Sequence, residues 1–134
     1  DDVFLALTHQ NGTRSHLWAS VMAARPGPRM RVLGARAAFV KEQGDVQEAA
    51  LREGARPGPG WGEDPAKNWG VLHDGAYSRA VESAAGAYQN FYAGMVAALK
   101  TGAPVPVDPE DAVAGLEIIE AARRAASQRT VIRF

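Results

Sequence analysis

An alternating apolar run that begins at Val3 leads into Asn11-Gly12, and a second alternating run follows. Asn-Gly between two such runs is a strong hairpin signal, because a two-residue type I′ turn needs φ > 0 at both central residues. With those residues as the loop, His9 faces Arg14, Leu7 faces His16 and Leu5 faces Trp18. Val3, Leu5, Leu7, His16 and Trp18 then share one face, while Phe4, Ala6, Thr8, Ser15 and Leu17 share the other. Both faces carry apolar residues, so a sheet covered on one side and at least partly on the second is expected. A strand this early, with no initiator Met and no lead-in, suggests a piece of a longer protein.

Arg25-Pro-Gly-Pro28 reads as a turn, and Met30 to Lys41 as a third strand in which Gly34 marks a bulge or a close backbone approach. Asp45-Val-Gln-Glu48 has the form of a capping box, with Asp45 as N-cap and Glu48 at the third helical position, and Gly54 ends the short helix that follows. Residues 54–70 form the longest irregular stretch, dense in Gly and Pro. From Ala87 the period becomes helical. Phe91, Tyr92, Met95, Val96 and Leu99 make a core stripe, closed by Gly102. Asp108-Pro109 supplies an N-cap and a Pro at the first helical position. Ala112, Leu116, Ile119 and Ala126 carry that helix on, Glu120 can reach Arg123 or Arg124, and Arg123, Arg124 and Arg129 suit its negative end. Thr130 to Phe134 reads as a terminal strand. Strands, a loop, two helices and a strand give an α+β fold with a mostly antiparallel open sheet and helices on one face.

A length of 134 residues indicates one domain. Fifteen basic and fifteen acidic residues cancel, so no field draws the chain to nucleic acid or anionic lipid. No apolar run approaches the ~20 residues that span a bilayer. The absence of Cys removes disulfides and thiolate metal sites and fits a reducing cytoplasm.

His9 and His16 would be diagonal neighbours in the register above, roughly 7–8 Å apart at the backbone. No acidic residue shares their face nearby, so they read as polar strand histidines, not metal ligands. Gly58-Pro-Gly60-Trp-Gly62 misses the G-x-G-x-x-G spacing at Glu63, and Pro59 removes an amide donor, so a phosphate cradle is not expected. Trp61, Trp69, His73 and Tyr77 place flat rings and polar tips along one segment, as a polyol-binding wall requires. The plainer reading has the tryptophans anchoring the loop on the sheet or on a second subunit. Asp64, Asp74, Glu82, Asp108, Glu110 and Asp111 make no acid/base pair, and Ser15, Ser20, Ser78, Ser83 and Ser127 lack a nucleophile elbow.

Asn90-Phe-Tyr-Ala-Gly-Met-Val-Ala-Ala-Leu-Lys-Thr-Gly-Ala-Pro-Val-Pro-Val-Asp-Pro-Glu-Asp-Ala, followed by Gly-Leu-Glu-Ile-Ile-Glu-Ala-Ala, resembles the C-terminal end of the Gfo/Idh/MocA oxidoreductases. Leu7-Thr-His-Gln-Asn-Gly-Thr-Arg-Ser-His-Leu-Trp, Gln47-Glu-Ala-Ala-Leu-Arg-Glu-Gly-Ala-Arg-Pro and the Trp61-Gly62 loop are similar to its inositol and sugar dehydrogenase branch. The resemblance implies a C-terminal α/β domain over residues 1–134, which follows a Rossmann domain absent from this chain. It implies a parent that moves hydride between NAD or NADP and a secondary alcohol of a sugar or cyclitol. The family's glycine fingerprint, its Glu-Lys-Pro lysine and its acidic residue and histidine lie outside this region. None of these motifs occurs here, and the catalytic histidine is not carried onto His9 or His16.

The expectation is therefore a cytoplasmic oxidoreductase fragment, inactive alone, with no catalytic residue, cofactor or metal of its own. Its partners would be the Rossmann domain, a second copy through the sheet and a small polyol. Trp69, His73 and Tyr77 are the candidate substrate contacts. The alternative from another class is a free-standing ligand-binding or protein-interaction module. The reading frame before Asp1 separates the two, since only the first needs a dinucleotide fingerprint there.

Overall fold

A computed structural model describes residues 2–133. In chain order the elements are β1 (Asp2–Thr8), β2 (Arg14–Ser20), β3 (Met30–Leu33), β4 (Ala38–Lys41), α1 (Gln47–Arg52), a 3-10 turn (Ala66–Asn68), β5 (Gly70–His73), β6 (Ser78–Val81), α2 (Tyr88–Thr101) and α3 (Pro109–Gln128). The fold is α+β with antiparallel sheets, in two compact units: Asp1–Pro26 with Val107–Phe134, and Gly27–Pro106.

In the first unit, β1 and β2 form the expected hairpin, but Leu5 faces Leu17, Leu7 faces Ser15 and Thr8 faces Arg14. The register differs by one residue because the loop holds a third member. Gly12 N–H donates to the His9 carbonyl at 2.9 Å, His9 N–H donates to the Thr13 carbonyl at 2.8 Å, and Gly12 takes φ 82°. This is the three-residue loop in which a left-handed Gly closes a bulge. A one-residue slip transposes the faces of a strand relative to its partner. Phe4, His16 and Trp18 therefore share a face, with Phe4 4.8 Å from Trp18 and 5.5 Å from His16 between ring centroids. The opposite face holds the half-buried Leu5, Leu7 and Ser15. The aromatic face is open, with Trp18 76% exposed.

In the same unit the Asp108 carboxylate accepts the Glu110 N–H at 3.0 Å and Pro109 begins α3, as its local sequence dictates. The expected face of α3 is corrected. Ala121 is buried, with Ile118, Ala122 and Ala125 half-buried beside it at helical spacing, whereas Leu116 and Ile119 are exposed. Arg129 ends the helix in the left-handed region at φ 53°. Residues 130–133 form no strand: Val131 is exposed, and a strand needs a neighbour to complete its ladder. Phe134 lies outside the described residues.

In the second unit the four-stranded sheet runs β3-β4-β5-β6. The single strand expected over 30–41 is instead a hairpin, with Leu33 paired to Ala38 and Gly34 N–H donating to the Ala37 carbonyl at 2.9 Å. The segment after Trp69 forms a second hairpin, with His73 paired to Ser78. Asp74 builds its turn by accepting N–H bonds from Ala76 and Tyr77 at 3.2 and 2.9 Å, and Gly75 takes φ 92°. By this register the two hairpin turns lie at one end of the sheet. Met30, Lys41, Gly70 and Val81 lie at the other.

Helix α1 begins two residues after Asp45, whose carboxylate accepts the Gln47 N–H at 2.8 Å. Glu48 does not complete a capping box, because its carboxylate pairs with Arg52 at 2.6 Å. Gly54 closes the helix as expected: its N–H donates to Leu51 and the Ala55 N–H to Ala50. Gly102 closes α2 in the left-handed region. The half-buried side of α2 holds Gln89, Gly94, Met95 and Ala98, with Gly94 against Pro106. Phe91, Tyr92, Val96 and Leu99, read from sequence as core, are exposed in this chain.

Candidate functional site

Two polar hubs organise the Lys41 end of the four-stranded sheet. Lys41, the last residue of β4, donates to Asp64 Oδ2 at 2.5 Å, to the Asn68 carbonyl at 2.9 Å and to Ser83 Oγ at 3.0 Å. An ammonium has three protons, and all of Lys41's are engaged. The Lys41 ammonium, with the Ser83 hydroxyl second, holds the Asp64 carboxyl below the usual carboxylate range. Asp64 Oδ1 is buried and has no partner in hydrogen-bonding geometry.

Gln47 is the second hub and is 1% exposed. Its Oε1 accepts from Trp61 Nε1 at 2.8 Å and from the Tyr88 N–H at 2.9 Å, while its Nε2 donates to both Asp45 carboxylate oxygens. One amide thereby joins α1, the glycine-rich segment and the start of α2. Gly86 N–H donates to the Gly62 carbonyl at 2.9 Å. A Cβ on Gly62 would meet Gly86 O at 2.0 Å, and one on Gly86 would meet Gln47 Nε2 at 2.1 Å. The glycines of the 58–62 run thus serve turns and backbone packing: Trp61 N–H closes on Gly58 and Glu63 N–H on Gly60. Pro59 interrupts the run, and no strand leads into it, so these residues do not fit a dinucleotide's phosphates.

Two cavities adjoin the hubs. One, of about 510 Å³, is apolar and lined by Leu51, Pro57, Trp61, Tyr88, Phe91 and Tyr92, with Gln89. The other, of about 340 Å³, has a mixed lining that includes Arg29, Lys41, Asp45, Asp64, Ser83 and Tyr88.

The three residues singled out as substrate contacts are not brought together. Trp69 lies at the Lys41 end, its Nε1 donating to the Asp64 carbonyl at 2.8 Å. His73 lies at the far end of β5, its Nδ1 2.7 Å from Ser78 Oγ, and Tyr77 in the adjoining turn is 79% exposed. None of the three lines either cavity. Both Trp61 and Trp69 anchor the loop through their indole N–H groups. His9 bonds Ser15 at 2.8 Å, on the face opposite His16, so the two histidines are separated. Among the described residues no group of three or more His, Asp or Glu side chains is placed to hold a metal. No described helix is long and apolar enough to cross a membrane.

Sequence reading missed the Lys41–Asp64–Ser83 and Gln47 hubs. The one available signal was a Lys ending an apolar strand, Phe39-Val40-Lys41, where a buried stem calls for a carboxylate partner.

The fold recurs in solved proteins. It matches yvaA from Bacillus subtilis, named an oxidoreductase, with a TM-score of 0.91 and 28% identity over 100% of this chain and 40% of that one. It also matches an oxidoreductase-titled structure from Bacteroides fragilis, with a TM-score of 0.86 and 29% identity over 98% of this chain and 41% of that one. In sequence it is 29% identical over 121 residues to the scyllo-inositol 2-dehydrogenase (NADP(+)) IolW of Bacillus subtilis, covering 87% of this chain and 34% of that protein. The chain thus spans between a third and about two fifths of the length of these relatives. The family description "Oxidoreductase family, C-terminal alpha/beta domain" matches residues 1–134, and the chain belongs to the Gfo/Idh/MocA oxidoreductase family through that domain.

Proposed function

We propose that the chain is the C-terminal domain of an NAD(P)-dependent oxidoreductase acting on a secondary alcohol of a sugar or cyclitol, supplying the subunit interface and part of the substrate wall. The observation that carries this reading is the alignment of nearly the whole chain with one third of a scyllo-inositol 2-dehydrogenase. A nucleotide-binding Rossmann domain would then come from elsewhere in the parent, together with the hydride chemistry of the nicotinamide. The reading sets that parent in the cytoplasm. Trp69, His73 and Tyr77 are its proposed substrate-side residues, Trp69 at one end of β5 and the other two at the opposite end.

The interface part is supported by apolar surface that this chain leaves open. Every residue of the edge strand β3 is exposed, Met30, Val32 and Leu33 among them, and so is the Phe4–Trp18 face of the first hairpin. Open apolar surface on each unit is the kind that marks association sites, and an exposed edge strand invites cover. A second copy of the chain is the proposed cover. Light scattering should give a dimer or larger species, and Trp18→Arg with Val32→Lys should shift it to the monomer.

The activity test uses the full-length parent with scyllo-inositol and each nicotinamide, following the absorbance of the reduced cofactor. Turnover by the parent and none by the 134-residue chain is the expected result. Turnover by this chain alone, or a parent that oxidises no polyol, would overturn the reading.

A further inference from the structure

Helix α2 is apolar on two sides. Gly94, Met95 and Ala98 are half-buried, while Tyr88, Tyr92, Val96 and Leu99 are exposed, Leu99 by 82%. The exposed four stand at i, i+4, i+8 and i+11, so they form one stripe roughly 17 Å long down the helix. A helix that is apolar around most of its circumference belongs in a core. We propose that this stripe is the docking surface for the part of the parent that precedes Asp1, and that the apolar cavity beside it seats a large apolar side chain of that part. The inference rests on reading this chain as a C-terminal domain, and it assigns the contact to residues that reading did not name.

Charge sets α2 apart from a surface helix. Lys100 is the one charged residue among its 14, whereas the 20-residue α3 carries Glu110, Asp111, Glu117, Glu120, Arg123 and Arg124. Depletion of charged residues marks the centre of an interface. The cavity of about 510 Å³ lies at the first turns of α2, where Leu51, Pro57 and Trp61 face Tyr88, Phe91 and Tyr92. Its lining holds no charged residue, and the Trp61 wall is fixed by the bond from Nε1 to Gln47. A preformed pocket that receives an aromatic or aliphatic anchor carries much of an interface's energy.

Length identifies the occupant. A small molecule could fill the cavity at one end of the stripe but could not reach Leu99 in the last turn, so the cover is a stretch of protein. This chain spans 34% of the scyllo-inositol dehydrogenase and 40% of yvaA, and the family description sets it at the C-terminal end. The larger part of each relative therefore lies ahead of the matching domain. Joined in one polypeptide, that part meets α2 at a high effective concentration, so a surface this bare of charge is covered without waiting for a second copy.

The test uses the absence of Cys from this chain. Leu99→Cys and Tyr92→Cys are made in the 134-residue chain and in the parent, and alkylation of each site by N-ethylmaleimide is timed by peptide mass. Both side chains are exposed here, so neither substitution disturbs the core of this chain. In the chain both thiols should react nearly as fast as free cysteine. In the parent both should react at least about tenfold more slowly, since access then requires the domains to open, and the rates should not depend on protein concentration. Equal rates in chain and parent would overturn the assignment. Slowing at Tyr92→Cys alone would mean a compact occupant of the cavity, and slowing within the chain as its concentration rises would mean a second copy; either overturns it. These failures leave the C-terminal-domain reading standing, whereas a reading frame with no domain before Asp1 overturns both.

Discussion

Gly62 and Gly86 meet backbone to backbone, Gly86 N–H on the Gly62 carbonyl at 2.9 Å, with no room for a side chain on either. Gly62 also holds φ 71°. Ala at position 62 meets left-handed backbone strain and a collision with the Gly86 carbonyl together. Destabilisation of about 3 kcal/mol is expected, from roughly 1–3 kcal/mol for each effect. Urea denaturation should show a lower midpoint at unchanged slope.

Replacing Gln47 by Leu keeps the volume and removes the hub. The Trp61 indole and the Tyr88 amide lose their acceptor, and Asp45 loses two donor contacts. A cost of about 2–4 kcal/mol is expected, since each stranded buried group costs roughly 1–3 kcal/mol. Red-shifted Trp fluorescence at low denaturant would report the released indole.

The Lys41–Asp64 pair gives an acid-side dependence with a definite sign. The folded state holds the Asp64 carboxyl below 3.8, so its contribution is present above that value. It is lost as pH falls below 3.8 and through the folded value. Asp64→Asn should remove this part of the slope, so wild type and variant converge in strong acid and diverge above about pH 4. Parallel curves across that window would show that the pair carries no linkage.

Arg129 holds a left-handed conformation at the end of α3, with the Thr130 N–H donating to the Ala125 carbonyl at 3.2 Å. Arg129→Gly should stabilise the helix end by about 1 kcal/mol, the steric cost of a side chain there. Arg129→Ala should give no such gain. Amide exchange over the last turn of α3 measures the difference.

What was legible in the sequence was local. Asp108-Pro109, Gly54 and Gly102 were read correctly because a cap is decided by a few adjacent residues. Asn11-Gly12 announced a hairpin, yet a dipeptide does not say whether Gln10 joins the loop, and that one residue transposed the faces. The hairpin at residues 74–77 had its own signal in Asp74-Gly75, but flanking strands of four residues are too short for alternation to show. Periodicity in α2 found an apolar stripe and could not say what covers it. The hubs were out of reach because Lys41 meets Asp64 and Ser83 across 23 and 42 residues of sequence. Such contacts depend on sheet register, which no short window contains.

That dependence has a mechanical side. Lys41 is the last residue of its strand and tethers β4 to both Asp64 and Ser83. A two-residue slide of β4 preserves the alternation of its faces but carries the ammonium roughly 7 Å along the sheet. All three bonds would break at once. The lysine therefore acts as an indexing pin: misaligned β4 pairings would leave Asp64 and the Asn68 carbonyl without it.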